Sequence, residues 1–256
     1  MSRPSVEGTD GFGADVGSIP PPVALVTGAA SGMGHAVATR FLHEGWNVLG
    51  LDVREPRLRA SRGKSLPWAP VDVCDRLAVR EAVQQLDTDV GPLRAVLNVA
   101  GIYPPTTLED LSVERYRAIF DTNVLGTLNV IAESVAVMRS RGGGGAIVNF
   151  ASVDAFAVSP GQLIYSAAKA AVVSLTRSLA VELAADEITV NAVAPGWVDT
   201  PGNRATGRME GAASTIPLGR VAQPGEIAEW VWRLAGESSA YMTGETLVIS
   251  GGSVMR

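Results

Sequence analysis

Short runs rich in aliphatic and β-branched residues recur along this chain of 256 residues, and segments with a helical period separate them. Two neighbouring parallel strands need a crossover between them, usually a helix, so this alternation indicates a parallel sheet with helices on both faces. It predicts one doubly wound α/β domain over residues 23–256, built on a seven-stranded sheet. The candidate strands are residues 23–27, 47–51, 68–71, 94–100, 146–151, 188–193 and 246–250.

Two segments depart from this alternation. Residues 1–22 combine Gly, Pro, Ser and acidic residues without a hydrophobic period and end in three prolines, which is typical of a flexible N-terminal tail. Residues 201–217 hold three Gly and two Pro within an otherwise periodic sequence. Long irregular stretches of this kind are often binding loops, so we expect a lid there.

Charge and cysteine content narrow the function classes. The net charge of −5 gives no basic surface for nucleic acid or for an anionic membrane, so small molecules are the expected partners. No cationic-then-apolar leader and no apolar run of about 18 residues is present, and we expect a cytoplasmic protein. The single cysteine, Cys74, lies beside Asp72 and Asp75, whose charges disfavour a thiolate. We therefore expect a buried structural thiol, and no bound metal.

A glycine-rich turn follows the first strand, where the first helix opens. Its sequence is Thr27-Gly28-Ala29-Ala30-Ser31-Gly32-Met33-Gly34. Backbone amides and the helix dipole at such a turn hold a pyrophosphate, and the glycines let the phosphates approach the main chain. Because glycine also serves turn geometry alone, the turn by itself leaves both interpretations open.

Asp52 ends the second strand, 24 residues after Gly28. A carboxylate at this place accepts hydrogen bonds from the ribose hydroxyls of an adenosine and repels a 2′-phosphate, which favours NAD over NADP. Two alternatives stay open. Asp52 caps the following turn, or Arg54 accommodates the additional phosphate of NADP.

Four polar residues form the candidate reaction site. Tyr165 and Lys169 are four residues apart in a helical stretch, so both project from one face, and an ammonium beside a phenol favours the phenolate. Ser152 closes the strand at 146–151, on the sheet edge where substrates bind. Asn123 lies in the middle of a helix, where a buried amide either joins backbone groups or anchors a water. Taken singly, each also has a purely structural interpretation.

In combination, these motifs resemble the classical short-chain dehydrogenase/reductase family, from Val23 to about Gly252. Two positions depart from the family pattern: Val99 stands where a second Asn is usual, and Ser250 stands where the C-terminal motif usually has Asp. The tetrad of the family matches Asn123, Ser152, Tyr165 and Lys169. The other matching motifs are Thr27–Gly34, Asp72-Val73, Asn98-Val99-Ala100-Gly101 and, after Asn191, Pro195-Gly196-Trp197-Val198-Asp199-Thr200.

The resemblance implies a Rossmann-type fold and a division of labour within the tetrad. Tyr165 takes the alcohol proton while Ser152 holds the alcohol oxygen. Lys169 lowers the pKa of the tyrosine and binds the nicotinamide ribose, and Asn123 anchors a water of a proton relay. The cofactor-binding residues that the resemblance implies are Gly28, Ser31, Gly32, Met33, Gly34, Asp52, Val53, Asp72, Val73, Asn98, Ala100, Gly101, Tyr165, Lys169, Pro195, Gly196, Val198 and Thr200.

The substrate pocket is less well defined by the sequence. The short connection from Asp52 to Asp72 and the run Ile216–Arg220 look similar to the branch that includes 2,3-dihydro-2,3-dihydroxybenzoate dehydrogenase. This weaker resemblance implies a small cyclic or hydrophobic secondary alcohol. The candidate substrate residues are Tyr103, Asp154, Phe156, Gln162, Trp197, Arg204, Arg208 and Met209.

The expected activity is thus NAD-dependent interconversion of a secondary alcohol and its ketone. Three alternatives stay open: an NADP-dependent ketoreductase of the 3-oxoacyl-carrier-protein type, an epimerase or dehydratase of the extended branch, and a non-catalytic dinucleotide sensor on the same fold. The resemblance also implies a homotetramer, or a homodimer, built through the helices at 113–139 and 164–184 and the C-terminal strand.

Overall fold

The computed structural model describes residues 20–56, 66–85, 90–142, 144–207, 209 and 211–256. Its strands are β1 (Val23–Thr27), β2 (Asn47–Asp52), β3 (Trp68–Pro70), β4 (Leu93–Asn98), β5 (Gly145–Phe150), β6 (Ile188–Pro195) and β7 (Thr246–Ile249). They form one parallel sheet in the order β3-β2-β1-β4-β5-β6-β7, which confirms the predicted fold class. The strand order reverses between β1 and β4, and this is where doubly wound folds bind their ligands.

Eight α-helices belong to the described part of the chain. They are α1 (Gly32–His43), α2 (Arg76–Gln84), α3 (Val113–Phe120), α4 (Gly126–Arg141), α5 (Leu163–Leu183), α6 (Pro201–Ala205), α7 (Ala212–Thr215) and α8 (Pro224–Ala235). Local signals set several of their ends. Asp75 caps the N-terminus of α2 by accepting hydrogen bonds from two backbone amides. Gly45, at φ +83°, follows the C-terminus of α1 and allows the chain to leave the helix, as its position predicts.

Apolar side chains cover both faces of the sheet. On one face α1 and α8 pack together through the T-shaped contacts of Phe41 with Trp46 and Trp232, at centroid distances of 5.3 and 5.0 Å. On the other face α2, α4 and α5 cover the strands. All five residues of β1 are buried, as expected for the centre of a parallel sheet. The glycine-rich turn follows this central strand and therefore lies at the point where the strand order reverses, in the crevice between the ends of β1 and β4.

The long helix predicted over 113–139 is divided. A π-turn over Asp121–Leu125 separates α3 from α4, so the backbone hydrogen bonds shift by one residue there. Such turns occur preferentially at functional sites, and this one contains Asn123.

Parts of two other predictions fall outside the described residues. Residues 1–19 of the expected tail lie there, whereas the carbonyl of Pro22 accepts a 2.9 Å hydrogen bond from the amide of Asn47. The segment 201–217, expected to be a lid, contains α6 and α7, with residues 208 and 210 outside the description.

Within the described ranges, no helix has the length and apolar character needed to span a membrane. The same residues include no group of three or more His, Cys, Asp or Glu side chains that could hold a metal ion.

Candidate active site

The glycine-rich turn is held tightly against the end of β4. Gly28 and Gly32 have φ values of +66° and +55°, which favour glycine. A Cβ atom on Gly34 would collide with the carbonyl oxygen of Gly28, so the third glycine permits close packing of α1 on the turn. The hydroxyl of Thr27 accepts hydrogen bonds of 3.0 Å from the amides of Val99 and Ala100. These contacts fix the open N-terminus of α1, where an anion binds favourably.

Asp52 lies at the end of β2, directly beside this turn, and is 8% exposed. Its Oδ2 accepts a 3.0 Å hydrogen bond from the amide of Ala30, and its Oδ1 accepts one of 2.9 Å from the amide of Arg54. The Asp52 carboxylate therefore caps the turn that follows β2, which is one of the two alternatives to a role in cofactor binding. The Arg54 guanidinium is mostly exposed and donates a 3.3 Å hydrogen bond to the hydroxyl of Ser31. Ser31 and Arg54 thus lie together beside the carboxylate, while Val53 is exposed.

The residues of the expected adenine side are organised by α4. Asp72 accepts a 2.9 Å hydrogen bond from the amide of Cys74, and the carbonyl of Val73 accepts one of 3.0 Å from Asn129. Cys74 is partly rather than fully buried, which differs from the prediction, and its Sγ lies 3.8 Å from the hydroxyl of Thr122. Burial raises the pKa of this thiol, so it stays protonated at neutral pH.

A buried chain of side-chain amides joins the ends of β4 and β5. Asn98 donates a 2.9 Å hydrogen bond to Asn149, which donates one of 3.0 Å to Thr176 on α5. Asn149 is not among the residues predicted from the sequence, because an Asn within an apolar strand gives no signal of which partner it meets. The Oδ1 atom of Asn98 is shielded from solvent and has no hydrogen-bond partner in the described part of the chain.

Lys169 is buried at the bottom of the crevice, with 4% of its surface exposed. Its ammonium donates a 2.7 Å hydrogen bond to the carbonyl of Phe150 at the end of β5 and lies 5.6 Å from the ring centroid of Tyr165. Burial lowers the pKa of Lys169 from its ordinary 10.5 to about 8. The side chain therefore remains mostly cationic at neutral pH, directly below the phenol ring.

Asn123 faces this ammonium from the π-turn and is fully buried. Its Nδ2 donates to the carbonyls of Ile119 and Ile102 at 2.9 and 2.8 Å, and its Oδ1 has no hydrogen-bond partner among the described residues. A Cβ atom on Gly101 would lie 2.6 Å from that Oδ1 and 3.5 Å from the Lys169 ammonium. Glycine at position 101 therefore keeps open the space between the amide and the cation.

Ser152 lies just beyond β5 and is almost fully buried. Its hydroxyl accepts a 3.1 Å hydrogen bond from the backbone amide of Asp154 and donates one of 3.3 Å to the carboxylate of the same residue. Ser152, Asp154 and Tyr165 line one cleft of about 280 Å³. The structure thus brings the four tetrad residues of the sequence prediction to one place.

The cleft also contains several of the other predicted residues. Tyr103, Gln162 and Trp197 line it, with the ring of Tyr103 5.8 Å from that of Tyr165. Met33 of α1 contributes to the wall. Pro195 at the end of β6, and Gly196 and Thr200 after it, line it as well, whereas Val198 is buried and does not.

Other candidate substrate residues do not line the cleft. Phe156 stacks under the guanidinium of Arg256 at 3.7 Å, and Arg204 forms an ion pair with Asp199 at 2.5 Å. Met209 is not part of the cleft wall, and Arg208 lies outside the described residues. The cleft is also lined by residues that were not predicted from the sequence: Ala151, Val153, Ala157, Val158, Ser159, Asn203, Thr215, Ser253 and Val254.

Comparison with known proteins decides the family. A family model described as Enoyl-(Acyl carrier protein) reductase matches residues 28–253. The chain is also 36% identical over 242 residues to the 3-oxoacyl-acyl-carrier-protein reductase FabG of Thermotoga maritima, in an alignment that covers 91% of this chain and 98% of that protein. The chain is a classical short-chain dehydrogenase/reductase. It is therefore an oxidoreductase that acts on CH–OH or ketone groups with a nicotinamide dinucleotide.

Two further relatives show the range of this family. A diacetyl reductase of Staphylococcus aureus that forms (S)-acetoin is 34% identical over 253 residues, covering 91% of this dehydrogenase/reductase and 98% of the relative. The solved structure of ElxO with NADP bound has a TM-score of 0.83 and 28% identity, covering 92% of this chain and 99% of that one. The shared family confirms the resemblance predicted from the motifs, whereas the relatives differ in substrate.

The residues of this short-chain dehydrogenase/reductase fit a dinucleotide. The turn at Gly28 and Gly34 is packed so closely that no side chain fits there, which leaves backbone amides at the open end of α1. Asn98 and Asn123 belong to the motifs that resemble the family's cofactor and catalytic motifs, and the shielded Oδ1 atom of each has no hydrogen-bond partner among the residues that the structure describes.

Proposed function

We propose that this enzyme interconverts a small secondary alcohol, cyclic or hydrophobic, and its ketone, with NAD as the cofactor. One observation carries the proposal: the Lys169 ammonium, which donates a hydrogen bond to the Phe150 carbonyl, lies 5.6 Å from the ring centroid of Tyr165. Tyr165 lines the same cleft as Ser152. A buried cation at that distance stabilises a phenolate over a phenol. The tyrosine is thereby prepared to exchange a proton with an alcohol.

Each member of the tetrad has a distinct role in the proposed reaction. The hydroxyl of Ser152 donates a hydrogen bond to the oxygen of the substrate alcohol, and Tyr165 takes the proton of the substrate alcohol. The bound nicotinamide supplies the acceptor for the hydride that leaves the carbon. Lys169 holds the phenol in its reactive form, and Asn123 holds a water that passes the proton towards solvent. Alcohol and oxidised cofactor thus give ketone, reduced cofactor and one proton.

Asp52 supports NAD as the preferred cofactor. A nearly buried carboxylate at the end of β2 repels a 2′-phosphate. Each of its oxygens has a further lone pair that can accept a hydrogen bond from a ribose hydroxyl. The remaining residues for which we propose cofactor contacts are those of the glycine-rich turn, the ends of β4 and β6, and Asp72 with Val73.

A second candidate is an NADP-dependent ketoreductase. The Arg54 guanidinium and the Ser31 hydroxyl lie 3.3 Å apart beside Asp52, a cation and a donor in the place where a 2′-phosphate would sit. The names of the FabG relative and of the NADP-bound ElxO structure favour this candidate as well. A direct comparison of the two cofactors separates the candidates.

We also propose a homotetramer, or a dimer, formed through α3, α4, α5 and the C-terminal strand β7. On α5, Ala167 and Ala170 are exposed together with Leu163 and with Val181, which is 83% exposed. Small and apolar residues at helical spacing allow a second helix to approach closely. A solution mass near four or two times 26.6 kDa supports the assembly, and a monomeric mass contradicts it.

The proposal is tested by a panel of cyclic and linear secondary alcohols, each offered with NAD and with NADP. We expect absorbance of the reduced cofactor to rise with at least one small secondary alcohol, faster with NAD. Turnover of any alcohol excludes the non-catalytic sensor. Failure of all alcohols and of the corresponding ketones, in the presence of either cofactor, contradicts the proposed reaction.

A further inference from the structure

Asp154 is the one charged side chain that lines the cleft within the described part of the chain. It lies two residues after Ser152, on the short 3-10 helix Val153–Ala155. No Lys or Arg side chain of the described residues lies within 4.0 Å of its carboxylate. The charge of the cleft wall is therefore negative and lacks a cationic counterpart.

The two oxygens of this carboxylate are poorly satisfied by the protein. Oδ2 accepts the 3.3 Å hydrogen bond from the hydroxyl of Ser152. Oδ1 is shielded from solvent and has no hydrogen-bond partner among the described residues. Shielded polar atoms without partners are rare in folded proteins and call for an explanation.

Substrate binding would leave this carboxylate with even fewer partners. A serine hydroxyl has a single proton to donate. When Ser152 donates that proton to the reacting oxygen of a substrate, Asp154 loses the side-chain hydrogen bond that it accepts among the described residues. Both carboxylate oxygens then need a hydrogen-bond donor, and the described part of the cleft wall contains no Lys or Arg side chain that could be one.

We propose that Asp154 is a specificity-determining residue that selects secondary alcohols with a second hydroxyl on the neighbouring carbon. In the reverse direction the corresponding substrates are α-hydroxy ketones. This inference rests on the proposed function, since it assumes that Ser152 holds the reacting oxygen.

The distances suit a vicinal hydroxyl. The Ser152 hydroxyl is one hydrogen bond from the reacting oxygen and lies 3.3 Å from the Asp154 carboxylate. A hydroxyl on the carbon next to the reacting carbon extends about one hydrogen-bond length beyond the reacting oxygen, so it reaches the carboxylate without displacing Ser152. The resulting bond to an ionised acceptor is stronger than one between neutral groups. A substrate with a carboxylate at the same position is repelled.

The test compares three probes that share one ring. They are trans-1,2-cyclohexanediol, its monomethyl ether trans-2-methoxycyclohexanol, and cyclohexanol. The ether keeps the oxygen but loses the donor, and cyclohexanol controls for the size of the methyl group. We expect kcat/KM for the diol to exceed that for each of the other two at least about tenfold, because a site built to bond a hydroxyl discriminates strongly against analogues that lack it.

The variant Asp154→Asn removes the charge and keeps the shape of the side chain. The amide oxygen still accepts a hydrogen bond, but a weaker one than the carboxylate accepts, so we expect the preference for the diol over the ether to fall at least about threefold. Asp110→Asn, the same change at an exposed carboxylate that does not line the cleft, is the control and is expected to keep the wild-type preference. Because the readout is a ratio between two probes, a general loss of activity in a variant does not imitate the effect.

Equal kcat/KM values for diol and ether in the wild type, or an unchanged ratio in Asp154→Asn, overturn the inference while the proposed function stands. If no alcohol is turned over, the proposed function has failed, and binding of the diol and the ether to the NAD complex decides the role of Asp154. Tighter binding of the diol that is lost in Asp154→Asn supports the role. Equal affinities refute it.

Discussion

The Lys169 ammonium donates a 2.7 Å hydrogen bond to the carbonyl of Phe150, the last residue of β5. This bond connects the central helix of the site to the strand whose end carries Ser152. The position of the cation below Tyr165 is therefore set by the sheet itself rather than by a mobile loop. Residues held in this way by rigid elements are suited to precise chemistry.

The buried charge of Lys169 predicts a pH dependence of stability. Its pKa is about 8 in the folded protein against 10.5 ordinarily, so between these values the unfolded chain binds more protons. The free energy of unfolding attributable to this group therefore rises with pH from 8 to 10.5, by roughly 3 kcal/mol, and the group is destabilising below pH 8. We expect Lys169→Met to lose stability relative to the wild type by about this amount as the pH increases from 7 to 10.5. Urea unfolding of the cofactor-free proteins measures the difference, and a difference that stays constant with pH contradicts the account.

The collision of a Cβ atom on Gly34 with the Gly28 carbonyl predicts that Gly34→Ala distorts the turn. We expect dinucleotide binding to weaken at least about tenfold, because the backbone amides move away from the phosphates. The control is Gly225→Ala on α8, where an added Cβ meets no atom within 4 Å. Calorimetric titration with NAD measures both variants, and equal affinity in Gly34→Ala and wild type would refute the placement of the pyrophosphate.

Asp52 predicts the choice of cofactor. The variant Asp52→Asn removes the charge that repels a 2′-phosphate. Its one amide oxygen keeps a hydrogen bond from either the Ala30 or the Arg54 amide, whereas the carboxylate accepts both. We expect the ratio of kcat/KM for NAD to that for NADP to fall at least about tenfold. A wild-type enzyme that already uses NADP as well as NAD shows that our interpretation of Asp52 is wrong.

The ion pairs between α2 and α4 predict a second pH effect. Hydrogen bonds from Arg80 and then Arg76 hold the pKa of the nearly buried Glu133 below its ordinary value. A lowered carboxyl pKa stabilises the fold above the ordinary pKa, and this contribution is lost as the pH falls. We expect Glu133→Ala to lower the free energy of unfolding by roughly 2 kcal/mol at pH 7, with the difference shrinking below pH 4. Glu81→Ala, on the exposed side of α2, serves as control, and an equal loss in both variants speaks against the network.

The sequence predicted the sheet well, because buried parallel strands leave continuous apolar runs that turns and helices interrupt. The ends of β1 and the position of Gly45 follow directly from such local signals. The π-turn at Asp121–Leu125 was not predictable, because a shift of one backbone hydrogen bond changes no composition or period. The tetrad was identified by its resemblance to the family's motifs. The reason for glycine at position 101 required the structure, because an added Cβ there would lie between Asn123 and Lys169.

The cleft wall was harder to predict than the tetrad. Ser253 and Val254 line it although they lie near the end of the chain, where no periodicity points towards a site. Arg204 attracted attention as a cation near the expected lid, but Asp199 pairs with it. Contacts of this kind depend on how distant segments meet, and one sequence does not specify them.

The replacement Tyr165→Phe tests the central claim most directly, because it removes one hydroxyl and keeps the ring beside Tyr103 and above Lys169. The measurement is the rate of NADH formation with the best secondary alcohol of the panel, alongside NAD affinity determined by titration. We predict a loss of turnover of about a thousandfold with NAD affinity within about threefold of the wild type. Turnover that survives the replacement would contradict the assignment of Tyr165 as the acid/base.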